Sequence, residues 1–226
     1  MTIPDVRSPV QVGEPAPDFA LSAAHHEGSV SLAEYRAQSP VLLALFRGLY
    51  CTFCRRHVVQ LGSVAQKLQE LGVQTLGVMA TTPERARLYF RFRPPRIPMG
   101  ADPDLMTHRA YGLPHSAFTP EVFEVAQLAA ARDLRRLNQE VPAADPFGAP
   151  TQLERSLRLL DRLEGYEPTD ADHADLQRHQ AQFTGQFLVD RDGIVRWVNI
   201  ECAREGPAGF GEMPSDEEIL AAARAL

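Results

Sequence analysis

The sequence predicts an α/β protein: a central mixed sheet flanked by helices, with a helical insertion. Three observations lead there. The run Pro40–Phe46 is apolar throughout after its proline and is followed by Gly48, the pattern of a strand buried on both faces. A helix-period stretch, Cys51–Leu71, and a second apolar run, Val73–Ala80, follow it, and a strand–helix–strand unit implies parallel pairing. Near the other end, GQFLVDRDGIVRWVNIE (Gly185–Glu201) places two apolar runs around Asp190–Gly193, a hairpin signal that adds antiparallel strands.

Residues 1–17 are rich in proline and polar groups and read as an extended arm, leading to a short strand at Asp18–Leu21 and a helical turn at Leu32–Arg36. In Cys51–Leu71 the residues Val58, Leu61, Val64, Ala65, Leu68 and Leu71 recur at three and four, and Gly72 supplies the stop. After the second strand, TTPERARLYFRF predicts a helix with Thr82 as N-cap and Pro83 at its first position. The last residues, PSDEEILAAARAL, predict a helix capped by Ser215, with Asp216, Glu217 and Glu218 where the macrodipole favours acids.

The stretch between the second strand unit and the hairpin is helical in pattern. PEVFEVAQLAAARDLRRLNQ is rich in Ala and Leu, and APTQLERSLRLLDRLEG sets Leu153, Leu157 and Leu160 on one stripe. Pro142, Pro146 and Pro150 separate the two, and a weaker third helix covers Ala171–Gln182. The expected organisation is a core in two parts, residues 1–117 and 184–226, with residues 118–183 inserted between them. The leucine stripe needs a covering surface, which the core or a second copy of the chain would supply, so a homodimer through the insertion is an expectation.

Among 226 residues, a 44% hydrophobic and 23% charged content describes an ordinary soluble globular chain. A net charge of −6 argues against a protein whose main task is gripping nucleic acid, which needs a concentrated basic face. No apolar run reaches the roughly 18–20 residues that span a bilayer. The N-terminal stretch lacks the pattern of a secretory signal, so a cytoplasmic setting is expected. Three cysteines are too few for a disulfide scaffold. In a reducing compartment, a pair as close as Cys51 and Cys54 is more often chemical or metal-binding than structural.

That pair stands at the junction of strand and helix. Cys51 falls at the helix N-terminus, where unpaired backbone N–H groups favour a thiolate. Arg47, Arg55 and Arg56 flank it and would add to that effect if turned toward the sulfur. Cys54, one turn on, lies within reach of an oxidised Cys51, so the spacing fits dithiol redox chemistry. Tyr50, next to Cys51, is expected to shield the thiol and contact substrate.

FRGLYCTFCRRHVVQL, with ADPDLMTHRAYGL (Ala101–Leu113) and QFLVDRDGIVRW (Gln186–Trp197), resembles the alkyl hydroperoxide reductase/thiol-specific antioxidant family of the thioredoxin superfamily, in a peroxiredoxin-like branch with a CxxC. The likeness covers about residues 12–115 and 185–225. It implies a thioredoxin-like fold and a thiol-dependent peroxidase, in which one thiolate attacks a hydroperoxide, a second thiol resolves the sulfenic acid, and a thioredoxin-like or low-molecular-weight thiol restores the pair. Cys51 is the preferred attacking sulfur and Cys54 the resolving one. Laying Cys54 on the family's peroxidatic cysteine puts Cys51 on its threonine and reverses the roles. Thr184 occupies the place of an arginine in peroxiredoxins and a cis-proline in thioredoxins, and is a substrate-side candidate. Arg47 is the candidate cationic donor to the peroxide oxygen.

Other readings stand beside this one. Cys51 and Cys54 as buried structural thiols, a thiol–disulfide oxidoreductase acting on proteins, and a redox-inactive binding module all fit parts of the pattern. Cys51, Cys54 and His57, with His25, His26 or Cys202, would make a metal set, but the second ligand pair of a zinc site is absent, so no metal or cofactor is expected. Cys202 reads as a core cysteine or a distal resolving thiol. His57, one turn past Cys54, reads as a proton shuttle or as a histidine on an exposed helix face, and His108, Tyr111 and His115 border the cleft or pack. Asp190–Gly193 is turn chemistry.

Overall fold

A computed structural model describes residues 8–141 and 151–226. In chain order the strands and helices are β1 (Ala20–Ala23), β2 (Ser29–Ser31), β3 (Val41–Phe46), α1 (Thr52–Glu70), β4 (Gln74–Met79), α2 (Pro83–Phe92), β5 (Met99–Ala101) and α3 (Met106–Ala110). Then come β6 (His115–Ser116), α4 (Pro120–Arg136), α5 (Gln152–Leu163), α6 (Asp170–His179), β7 (Ala181–Gln182), β8 (Gly185–Val189), β9 (Val195–Ile200) and α7 (Asp216–Arg224), with a 3-10 turn at Gly206–Gly209 before α7.

The fold is thioredoxin-like α/β: the main sheet runs β2-β1-β5-β4-β3-β8-β9. β3 pairs in parallel with β4, from Val41↔Gln74 to Phe46↔Met79, and antiparallel with β8, from Val41↔Val189 to Leu45↔Gly185. All six residues of β3 are buried, and they divide by parity. Leu42, Ala44 and Phe46 face the cluster that α1 and α7 cover, while Val41, Leu43 and Leu45 face the one covered by Val10, Ala16 and Leu32. An unbroken apolar strand is the sequence form of such two-sided burial.

The helix starts follow their caps. Thr82, Thr119 and Ser215 each accept a backbone N–H three residues on, and Thr151 and Thr169 close capping boxes with Glu154 and Asp172. The third insertion helix is shorter than its pattern predicts. It ends at His179, and Ala181–Gln182 pairs with His115–Ser116 instead, closing the neck of the insertion. Pro142, Pro146 and Pro150, and residues 1–7 of the expected arm, lie outside the described residues.

The leucine stripe is covered within the chain. Leu160 is fully buried in the α1-side cluster together with Ala129, Ala130 and Leu134 of α4, and Leu153 and Leu157 pack against it. Another helix of the insertion, together with the α1-side cluster, therefore covers the stripe. No described helix is long and apolar enough to cross a membrane.

Candidate active site

The chain leaves β3 at Phe46 and turns through Arg47, Gly48, Leu49 and Tyr50 into α1. The turn is tight enough to need glycine: Gly48 has φ +151°, and a Cβ there would lie 2.5 Å from the Tyr50 ring. Cys51 is the N-cap of α1, with φ −87° and ψ 107°, and its Sγ accepts the Cys54 backbone N–H at 3.2 Å. A sulfur thus takes the place of the usual capping oxygen. Cys51 is 6% exposed and Cys54 fully buried, both as free thiols.

Burial opposes ionisation of both sulfurs, and their partners then separate them. For Cys51 the Cys54 thiol, the Arg47 guanidinium and the Cys54 N–H outweigh burial and bring the thiol down to about 7. Cys54 is pushed up, by burial first and then by its hydrogen bond to Cys51 and by the charge of that sulfur. One sulfur is disposed to carry the charge while the other holds a proton.

Arg47 is buried, and its Nη2 donates to both carboxylate oxygens of Glu201, just past β9. Phe210 stacks on the guanidinium, its ring centre 4.6 Å from Cζ. Arg47 Nε has no protein partner among the described residues. Glu201 also accepts the N–H groups of Thr184 at 3.0 Å and Gly211 at 2.7 Å. Thr184 thus lies beside this ion pair, 2% exposed, with its N–H engaged. Gly211, at φ +70°, presses so closely on Phe53 that a Cβ would lie 2.9 Å from the ring.

Arg55 and Arg56 turn away from the sulfur and bind the insertion. Arg55 donates to Glu164 at 2.8 Å, to Asp161 at 2.5 Å and to the Leu49 carbonyl at 2.7 Å, and it lies 3.7 Å over the Tyr166 ring. Arg56 pairs with Asp133, and Thr52 donates to Glu164 at 3.0 Å. Acids of α4 and α5 and of the α5 cap therefore claim the two arginines that follow the CxxC. Farther along, Thr81 donates to Asp175 at 2.7 Å and Arg85 to Asp172 at 2.7 Å, so α6 is tied down as well.

Tyr50 has an enclosed hydroxyl without a protein partner among the described residues, held neutral chiefly by burial, and its ring faces His179 at 6.4 Å. His57 is buried, and burial with the charges of Arg47 and Arg56 lowers it to about 3, so it is a neutral packing group. His108 is likewise buried and lowered to about 4, by burial first. Tyr111 fills the opposite core cluster, its hydroxyl donating to the Pro17 carbonyl at 3.0 Å. Cys202 is half-buried, and burial and Glu201 push it up to about 11. Among the described residues, no group of three or more His, Cys, Asp or Glu is gathered as a metal site.

The AhpC/TSA family matches residues 12–134, which span β1 to α4 and include the CxxC turn. The chain belongs to this family. Three solved structures share the fold of this AhpC/TSA protein. A reduced 2-Cys peroxiredoxin of Plasmodium vivax has a TM-score of 0.59 at 14% identity, over 96% of this chain and 82% of that one. Peroxidoxin BcpB of Mycobacterium tuberculosis has 0.56 at 12% identity, over 96% and 98%. The mitochondrial 2-Cys peroxiredoxin of Plasmodium falciparum has 0.55 at 11% identity, over 95% and 93%. No curated protein matches the sequence. Membership of this family supports a thiol-oxidoreductase function.

Glu201, Glu164 and the Phe210–Gly211 turn escape sequence reasoning. Glu201 bonds to Arg47 across 154 positions, and neither residue carries a local signal of the other.

Proposed function

We propose that the protein is a thiol-dependent peroxidase that reduces small hydroperoxides through a Cys51–Cys54 dithiol/disulfide cycle. The observation carrying this reading is the sulfur cap: Cys51 receives the Cys54 N–H, titrates at about 7, and has its proton-holding partner one turn away. The Cys51 thiolate attacks one oxygen of the O–O bond. The S–O bond forms, the O–O bond breaks, and the leaving alkoxide or hydroxide takes up a proton to become alcohol or water. Arg47 Nε and the neutral Tyr50 hydroxyl, both without protein partners among the described residues, are the donors for that oxygen.

The sulfur of Cys54 then attacks the sulfenic sulfur of Cys51. A disulfide forms, hydroxide leaves, and it is neutralised by the Cys54 proton. A thioredoxin-like or low-molecular-weight dithiol returns two electrons and two protons. The roles of Cys51 as attacking and Cys54 as resolving sulfur follow from the separation of their thiols.

Small hydroperoxides are favoured over protein disulfides because Cys51 is 6% exposed beneath the insertion, and the Thr184 N–H is bound to Glu201 rather than offered to a partner backbone. The test is a pair of assays on the intact chain with the same dithiol donor: consumption of hydrogen peroxide and reduction of insulin. Second-order peroxide loss that disappears in Cys51→Ser, without insulin reduction, is expected. Insulin reduction without peroxide loss would replace this reading with a protein disulfide oxidoreductase.

A further inference from the structure

Glu201 takes no part in the thiol steps above, yet several strands of the site meet on it. It is 4% exposed and follows β9 directly. Its two oxygens receive Arg47 Nη2, the Thr184 N–H and the Gly211 N–H, so its position is fixed from three directions. Those donors come from the CxxC turn, the start of β8 and the Phe210 turn that stacks on Arg47. A buried carboxylate on a buried guanidinium also cancels part of that cation's field at a third group nearby.

We propose that Glu201 is a positioning residue for Cys51: it holds Arg47 by its terminal nitrogen and offsets its charge, so that the helix terminus and Cys54 set the thiolate. The inference rests on Cys51 being the reactive sulfur, but not on what Cys51 attacks. The ionisable groups acting on Cys51 and on its partner thiol are Arg47, Cys54, Tyr50 and Glu201, with Asp175 of α6 facing Tyr50. His57, on the α1 side, is neutral down to about 3. Arg47 favours the Cys51 thiolate and Glu201 opposes it, as two opposed charges require.

The test is the rate of iodoacetamide labelling of Cys51 against pH, mapped by peptide mass spectrometry, without peroxide. Glu201→Gln keeps the side-chain shape and removes the charge, whereas Glu201→Asp keeps the charge and shortens the reach. The Gln variant is expected to titrate about one pH unit lower, roughly tenfold more thiolate on the acid limb, and the Asp variant to stay near wild type. Arg47→Met/Glu201→Gln removes both charges without leaving a lone buried ion, so it carries the test should the single Gln variant fail to fold. Its midpoint is expected within about half a pH unit of wild type.

An unmoved or raised midpoint in Glu201→Gln would overturn the proposal. So would Asp and Gln variants moving together, which marks a packing role, or a rise of about one pH unit or more in the double variant, which marks an unopposed arginine. Failure of the peroxidase reading would show separately, as absent peroxide loss while the expected midpoint shifts are still seen.

Discussion

Cys54 controls the acidity of Cys51 in two ways that one substitution separates. Its backbone N–H donates to the Cys51 sulfur at 3.2 Å, and its thiol is the largest of the influences that lower Cys51. Cys54→Ala removes only the second. A hydrogen bond to a charged group contributes about 1.5–3 kcal/mol, and about 1.4 kcal/mol is one pH unit. From about 7, Cys51 is therefore expected to rise to roughly 8–9. At neutral pH the thiolate falls from about half to roughly 1–10%, and labelling slows by about two- to eightfold, because a more basic thiolate recovers part of the loss through its nucleophilicity. The assay is iodoacetamide labelling of Cys51 against pH in a Cys202→Ser background. A Cys54→Ala midpoint that stays put or falls would refute the hydrogen-bond origin of the low value.

Four further outcomes follow from the same contacts. Arg55→Met leaves Asp161 and the Leu49 carbonyl without their guanidinium donor and Glu164 with Arg56 as its remaining cation, and is expected to cost about 3 kcal/mol, measured by urea unfolding. Adding Asp161→Asn and Glu164→Gln should recover part of it. Gly211→Ala strains a residue at φ +70° against Phe53 and is expected to lower stability by about 1–3 kcal/mol in the same assay. Cys51 titrates lower folded than unfolded, so between about 7 and 9 the unfolded chain holds a proton that the native one lacks, and this contribution to stability grows with pH; Cys51→Ser should remove that rise. His57 and His108, lowered to about 3 and about 4, resist protonation when folded, so stability falls as pH drops below about 6.5, and His57→Gln should flatten that acid limb.

What local physics governs was legible in the sequence. The two-sided burial of Val41–Phe46, the cap at Cys51, the Thr82 and Ser215 starts and the Asp190–Gly193 hairpin each rest on a few adjacent residues. Short strands such as Ser29–Ser31 and Met99–Ala101 have too few residues to show a period, and a register set by neighbours decides them. The flanking arginines show the same limit within the site. Near the CxxC, Arg47, Arg55 and Arg56 look equivalent as cations. Only Arg47 remains beside the thiols, because Asp133, Asp161 and Glu164 of the insertion, 77 to 109 residues away, take the other two. The leucine stripe was legible as a buried face, but which surface buries it depended on how the insertion folds back over α1.

The insertion also links fold to function. By binding Thr52, Arg55 and Arg56, Glu164 ties the N-terminus of α1 to the end of α5. The thiol is left nearly closed and served by the helix terminus, a neighbouring thiol and one compensated arginine. That enclosure is the reason a small oxidant is proposed as the substrate.

The central claim is that Cys51 attacks and Cys54 resolves. Mass spectrometry after one equivalent of hydrogen peroxide, with a sulfenic-acid trap, tests it most directly in wild type, Cys51→Ser and Cys54→Ser. The account predicts a Cys51–Cys54 disulfide in wild type, trapped sulfenate on Cys51 in Cys54→Ser, and an unmodified Cys54 in Cys51→Ser. Sulfenate on Cys54 in Cys51→Ser, with none on Cys51 in Cys54→Ser, would reverse the roles, and unmodified thiols in all three proteins would contradict the peroxidase account.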